Sequence, residues 1–177
     1  MEEYLDIVDE NGNPTGEKEL RSVVHEKGLW HRTVHIYFYR VKNNAIEILV
    51  HLRSAFKDLD PNKWDTRFGG HVDAGKNIEE ATAREIKEEV GIELKSECLI
   101  KGEIKKYDGG NNREFCHVFY YNFLENNNIL KFNDGEVQEI KWMTENEIAN
   151  SMQKNSSSWA QKKAGFIETI TYLKNRI

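Results

Sequence analysis

"GGHVDAGKNIEEATAREIKEEVGI", residues 69–92, reads as two glycines, a compact loop, a helix and a stop. Asn77 is a good N-cap and Glu80 stands three positions on, a capping box; Gly91 is the natural C-terminal stop, so a helix is expected over 77–90. On a helical wheel Ala83, Ile86 and Val90 cluster on one side and should face a core. Glu85, Glu88 and Glu89 occupy the adjacent sector at i, i+3, i+4. Like charges at those spacings cost roughly 0.2–0.5 kcal/mol each, and acids near a helix C-terminus oppose its dipole. Stability alone would prefer lysine there. A hard divalent cation resolves the conflict, because Mg²⁺ prefers carboxylate and water oxygens. The bland alternative is a solvated charged face. Glu80 with Arg84, and Arg84 with Glu88, add favourable i, i+4 pairs.

Outward from that helix the chain alternates strands and turns. "YLDIVD" (4–9) reads as a short strand and "ENGNPTG" (10–16) as a turn. "RTVHIYFYRV" (32–41) and "AIEILVHLRS" (45–54) are rich in β-branched and aromatic residues and read as a hairpin about Asn43-Asn44. "AFKDLDPNKW" (55–64) is loop, and "WDTRFGGHV" (64–72) a strand running into the glycines. Beyond the helix, residues 93–108 and 114–124 are strand-like about a "DGGNN" turn, and 133–143 is a turn plus a last strand. "TENE" (144–147) opens a further helix, and Trp159 to Asn175 reads as another, with Phe166, Ile167, Ile170 and Leu173 as its apolar spacing. The sum is an α+β domain with a mostly antiparallel sheet and a C-terminal helical extension over about 144–177.

A chain of 177 residues, 38% hydrophobic and 31% charged, suits a single domain over 1–177 with a real core. The net charge of −5 argues against a nucleic-acid polymer as partner, though a bound cation can invert the local field for a small anion. Cys98 and Cys116 are isolated, with no CxxC, and fit a reducing compartment. The acidic start "MEEYLDIVDENG" lacks an apolar signal segment, and no apolar run approaches the ~18 residues of a membrane span. The cytoplasm is the expected location, with no membrane partner.

Gly70 to Ile92 resembles the Nudix box, G-x5-E-x7-R-E-U-x-E-E-x-G-U, with U a bulky apolar residue. Gly70, Arg84, Glu85, Ile86, Glu88, Glu89, Gly91 and Ile92 match at the right spacing. The resemblance implies the Nudix fold, a mixed β-sheet sandwiched between helices. It also implies metal-dependent hydrolysis of a diphosphate linkage, with Glu85, Glu88 and Glu89 as the catalytic glutamates and ligands of Mg²⁺, or of Mn²⁺. The general base would be Glu88, Glu89 or a loop acid, Glu136 or Glu139. One position departs: Lys76 stands where the box has its first glutamate, which in the family supports the loop and pairs with the box arginine. Glu79 or, better placed, Glu80 is expected to take over.

The rest of the chain resembles one branch, type I isopentenyl-diphosphate isomerase and its hydrolase relatives. "DENGNPTG…H" (9–25), the "LRS" of 52–54, Trp64 and "DGEVQEIKW" (134–142) carry that likeness. It implies a second metal site at His25, His31, His71 and Glu114. The isomerase also needs a cysteine just before its Gly-His pair, as one half of a proton relay. Here that residue is Gly69, and Cys116 is not at the family position. A hydrolase acting on a nucleoside diphosphate or related small diphosphate is therefore the expectation, with an isomerase-like protein or a non-catalytic diphosphate sensor as alternatives. Arg53 and Arg67 are candidate phosphate clamps, since guanidinium pairs bidentately with phosphate, and His71 a candidate substrate contact. Trp30, Trp64 and Trp142 are read as core or rim residues, or as stacking surfaces for a base, and His35, His51 and His117 as structural. Monomer and homodimer both fit.

Overall fold

The computed structural model describes residues 2–57, 59–132 and 135–177. Strand β1 (Tyr4–Val8) pairs antiparallel with β2 (Pro14–Leu20), and helix α1 (Arg21–Lys27) follows. Strands β3 (Trp30–Lys42) and β4 (Ala45–Arg53) form the expected hairpin, and β5 is the short Trp64–Asp65. Helix α2 (Ile78–Glu85) runs on into a π-helical turn, Ile86–Val90. Strands β6 (Ile100–Asp108), β7 (Arg113–Asn122) and β8 (Val137–Thr144) precede helices α3 (Glu145–Lys154) and α4 (Lys163–Lys174). The larger sheet runs β5-β4-β3-β7-β6, with β8 also on β4. Its β3–β7 pair is parallel over ten residue pairs, from Trp30↔Arg113 to Tyr39↔Asn122, and its other strand pairs are antiparallel.

Period-2 alternation sorts the core into two layers. Val34, Ile36 and Phe38 of β3, with Phe119 and Tyr121 of β7, pack against Ala81, Ile86 and Val90 of the α2 segment. Tyr37 and Tyr39, with Val118 and Tyr120, pack on the opposite face against Ile148 and Met152 of α3 and Phe166, Ile170 and Leu173 of α4. The α4 spacing was legible except at Ile167, which stays 43% exposed. A third cluster of Leu5, Ile7 and Val24 lies under the β1–β2 hairpin.

Several expectations are corrected. Residues 14–20 form a strand, not the end of a turn; their sequence PTGEKEL has no apolar alternation, and only pairing to β1 reveals them. Helix α1 was not foreseen. The expected strand 64–72 is two residues of β5 followed by bridges to β3: Val34 N–H donates to the Gly70 carbonyl (2.9 Å) and Ile36 N–H to that of Phe68 (2.7 Å). This segment wedges between β3 and β4 where they part. Residues 93–99 are not strand. The last helix starts at Lys163, because Trp159 is held extended beside Trp64 and Ala160 N–H donates to the Trp64 carbonyl (2.9 Å). Asn133 and Asp134 of the expected turn lie outside the described residues. Among the described residues, no helix is long and apolar enough to cross a membrane.

The capping box of α2 is present on both sides. Asn77 Oδ1 accepts from Glu80 N–H (2.8 Å), and Asn77 N–H donates to Glu80 Oε2 (3.2 Å). Asn77→Ala is expected to lower stability by about 1 kcal/mol in urea unfolding. An unchanged midpoint would mean that tertiary packing alone holds this helix start.

Candidate active site

The sheet face beneath α3 and α4 turns polar as it runs beyond them. Towards the start of β3 the same-side positions are His35, Thr33 and His31, and on β7 they are Cys116 and Glu114. Helix α2 lies on the other face. The two glycines of the wedge bring the α2 carboxylates against the sheet. A Cβ at Gly70 would sit 2.8 Å from Glu85 Oε1. A Cβ at Gly69, where φ is +132°, would sit 2.1 Å from the Val34 carbonyl oxygen. Gly69 N–H donates to Glu89 Oε2 at 2.6 Å. The result is one cleft of about 1040 Å³ that Glu85, Glu88, Glu89 and Glu136 share with Thr33, His35, Arg67 and Glu114.

Glu85 is buried, and burial is the main reason its carboxyl is pushed up to about 7; Arg84 opposes the rise, while Glu88 and Glu136 add to it. Burial, then the neighbouring Glu85, push Glu89 well above the usual carboxylate range. Arg84 is the hub of the group. It donates to Glu88 Oε2 (2.6 Å), Glu85 Oε1 (2.7 Å) and the His71 carbonyl (3.0 Å), and its Nε lies 3.2 Å from Asp73 Oδ2. Lys57 pairs with Glu136, and its Nζ is 3.9 Å from Glu89 Oε1. Buried carboxylates held close at the cost of their own ionisation are suited to a hard divalent cation, which takes oxygen ligands. A cation there must displace their protons. Below pH 7, Mg²⁺ affinity is therefore expected to rise roughly tenfold per pH unit for each proton displaced. The Mg²⁺-induced shift in melting temperature, measured between pH 5.5 and 7.5, checks this. The shift must be taken as a difference with and without Mg²⁺. His31 and His51, pushed down to about 4 chiefly by burial, by themselves make stability rise with pH up to the imidazole range. A pH-independent Mg²⁺ shift would place the cation away from Glu85.

The structure gathers His25, His31 and His71. Their ligand atoms lie within 4.8 Å of one another, and their ring centroids are 5.2 to 5.3 Å apart. Glu114 is nearby, with Oε1 3.9 Å from His31 Nε2. His25 Nε2 and His31 Nε2 are buried without a hydrogen-bond partner. His71 Nδ1 is 3.3 Å from Glu3 Oε1, a contact that, as its largest cause, holds Glu3 down at about 2. Arg53 and Arg67 both line the cleft but are engaged. Arg67 makes a bidentate pair with buried Asp65 (2.8 and 2.9 Å), and Arg53 donates to the Leu59 carbonyl (2.8 Å). Of the two acids expected on a loop, Glu136 precedes β8 and lines the cleft, whereas Glu139 lies on strand β8, exposed outside the cleft. Trp30, Trp64 and Trp142 all lie outside the cleft lining. Instead they carry Lys106 (4.6 Å), Lys141 (3.6 Å) and Arg40 (4.3 Å) on their rings.

A model of the NUDIX domain matches residues 29–164. The chain belongs to the Nudix family. Over 159 residues it is 35% identical to a Nudix hydrolase of Clostridium acetobutylicum, covering 83% of this chain and 76% of that one. Over 166 residues it is 29% identical to an isopentenyl-diphosphate Delta-isomerase of Aliivibrio fischeri, covering 90% of each. In fold it is similar to a crystal structure from Deinococcus radiodurans, with a TM-score of 0.66 at 24% identity, over 86% of this chain and 90% of that one. It is thus an enzyme of the Nudix pyrophosphohydrolase class. Nudix hydrolases generally use divalent metal ions.

Within this Nudix box, the substitution at Lys76 is met in an unforeseen way. Lys76 is exposed. Glu80 caps the helix and Glu79 pairs with Lys101 (2.8 Å), so neither supports Arg84. Asp73 does, from the same loop. The expected Glu80–Arg84 pair is thus replaced by Asp73–Arg84, because the capping box holds Glu80 at the helix start. Three further cleft residues escaped sequence reasoning. Lys57 sat in an unstructured stretch, Glu3 is brought in by the β1–β2 hairpin, and His35 looked like one more strand histidine. The box motif pointed to none of them.

Proposed function

We propose that this Nudix enzyme hydrolyses a diphosphate linkage in a nucleoside diphosphate or related small diphosphate, with Mg²⁺ held by Glu85, Glu88 and Glu89. The observation that carries the reading is the buried Glu85–Glu89 pair beside Gly69 and Gly70, its carboxyls pushed upward by burial and by other acids. When bound, the cation would offset charge on the phosphate oxygens and make water a better nucleophile at neutral pH. Arg84 orients Glu85 and Glu88 by direct hydrogen bonds. Gly69 N–H fixes Glu89 Oε2. Glu136, on the cleft wall beside Lys57, is placed to take a proton from water, as are Glu88 and Glu89. The gathered His25, His31 and His71 suit a second, softer cation, with neutral imidazoles as ligands.

The isomerase alternative is disfavoured at residue 69. Glycine carries no side chain to move a proton, and the Val34 carbonyl leaves no room for one. The test is turnover on a panel of nucleoside diphosphates, sugar nucleotides, dinucleotides and isopentenyl diphosphate, with Mg²⁺ and with Mn²⁺. Metal-dependent product release that Glu88→Gln lowers at least about 10²-fold supports the hydrolase. Tight diphosphate binding without turnover on any member would move the sensor reading ahead.

A further inference from the structure

Lys57 stands among the carboxylates of the cleft, and the hydrolysis as derived above gives it no role. It comes from the stretch after β4, where a tight turn presents it. Ser54 N–H donates to the Glu136 carbonyl (2.8 Å), Phe56 N–H to Ser54 Oγ (3.3 Å) and Lys57 N–H to the Ser54 carbonyl (3.3 Å). The turn is thereby fixed to the chain that enters β8. From it the Lys57 ammonium, its side chain 24% exposed, reaches both Glu136, with which it pairs, and Glu89, 3.9 Å from Oε1.

The other cations of the cleft are committed elsewhere. Arg84 serves Glu85, Glu88 and Asp73. Arg67 is held by Asp65, Arg53 by the Leu59 carbonyl, and Arg21 by Glu3. Among the described residues, Lys57 is the only cationic side chain paired with Glu89. Burial and then Glu85 disfavour the charge of Glu89, and Lys57 opposes both.

An ammonium is a compact point charge on a flexible four-carbon stem, the nearest a side chain comes to a metal ion. It steadies a group of acids, and it can swing away as a planar guanidinium held bidentately cannot. A divalent cation taking oxygen from Glu89 meets this positive charge on the same carboxylate, and like charges repel. The ammonium must then give up Glu89.

We infer that Lys57 competes with the divalent cation for the Glu89 carboxylate, and so sets the metal affinity of the site while steadying its acids when no metal is bound. This rests on the metal reading of Glu85, Glu88 and Glu89 and adds the residue that tunes it. Lys57 acts here through Glu89, as a positioning residue.

The test is Mg²⁺ calorimetry on wild type, Lys57→Met, Lys57→Arg and Lys18→Met. Methionine keeps the apolar stem and removes the charge, arginine keeps the charge, and Lys18 of β2 lines the same cleft as a control for its general field. Lys57→Met is expected to bind Mg²⁺ about tenfold tighter than wild type, and the other two within about threefold of it. Without Mg²⁺, Lys57→Met should melt below wild type. Saturating Mg²⁺ should narrow that gap, because tighter binding gives the variant the larger metal-induced stabilisation. A purely structural lysine would leave the gap unchanged. Equal or weaker Mg²⁺ binding by Lys57→Met overturns the inference while the metal reading stands. So does a Lys18→Met variant that gains as much affinity, since the general field would then account for the effect. Absence of Mg²⁺ binding by all four proteins sinks the metal reading as well.

Discussion

Glu89→Gln lowers kcat by on the order of 10³-fold while the metal-free protein melts at an unchanged or slightly higher temperature; that is the expected result. The two effects separate because Glu89 is costly to the fold and useful to the site. Its carboxyl is buried, stands beside Glu85, and is pushed well above the usual carboxylate range. The one short contact that fixes it, Gly69 N–H to Oε2 at 2.6 Å, needs only an acceptor, which the glutamine carbonyl provides. What the amide cannot provide is negative charge for a divalent cation. The Mg²⁺-induced rise in melting temperature should therefore shrink together with kcat. Wild-type kcat in Glu89→Gln would remove Glu89 from the metal-binding set. A collapse of metal-free stability would mean that Lys57, 3.9 Å away, depends on the charge more than burial opposes it.

Gly69→Ala is expected to cost about 3 kcal/mol or more in equilibrium unfolding. The φ of +132° suits glycine, and the new methyl would stand 2.1 Å from a backbone oxygen of β3, which cannot swing aside as a side-chain end can. Gly70→Ala meets the Glu85 carboxylate, at 2.8 Å, instead of backbone. Its cost falls on activity first, because Glu85 can shift and in shifting leaves its place beside Glu89. The ratio of the two penalties is the check. If Gly69→Ala is as stable as wild type, the wedge between β3 and β4 is looser than its hydrogen bonds indicate. The same clash means that Gly69→Cys, which restores a thiol at the isomerase position, should lose stability and gain no isomerase activity.

Much of this was legible in the chain. The Asn77–Glu80 capping box, the Gly91 stop and the Glu85, Glu88, Glu89 spacing are local patterns, and helices are read from local patterns. The β3–β4 hairpin was legible for the same reason, through its run of β-branched and aromatic residues. Strand β2 was not, because a polar strand is specified by its partner and not by its own composition. The π-helical turn at Ile86–Val90 was also missed, since its residues read as ordinary α-helix. Arg84 shows the limit within the motif. Sequence spacing favoured Glu80, one turn away, but Glu80 is committed to the helix cap, and Asp73 reaches Arg84 from the loop.

By itself the sequence determined the carboxylate helix, the glycine pair and the departure at Lys76, all of them features of residues within one helical turn or one loop of each other. Only the tertiary structure decided that the glycines bring that helix against a sheet whose far face turns polar. His25, His31 and His71 come from α1, β3 and the wedge segment, and Thr33 and Glu114 from the two strands of a parallel pair. Such groups meet only when the sheet closes. Their proximity is set by strand register and by where β3 and β4 part, which no window of the sequence encodes.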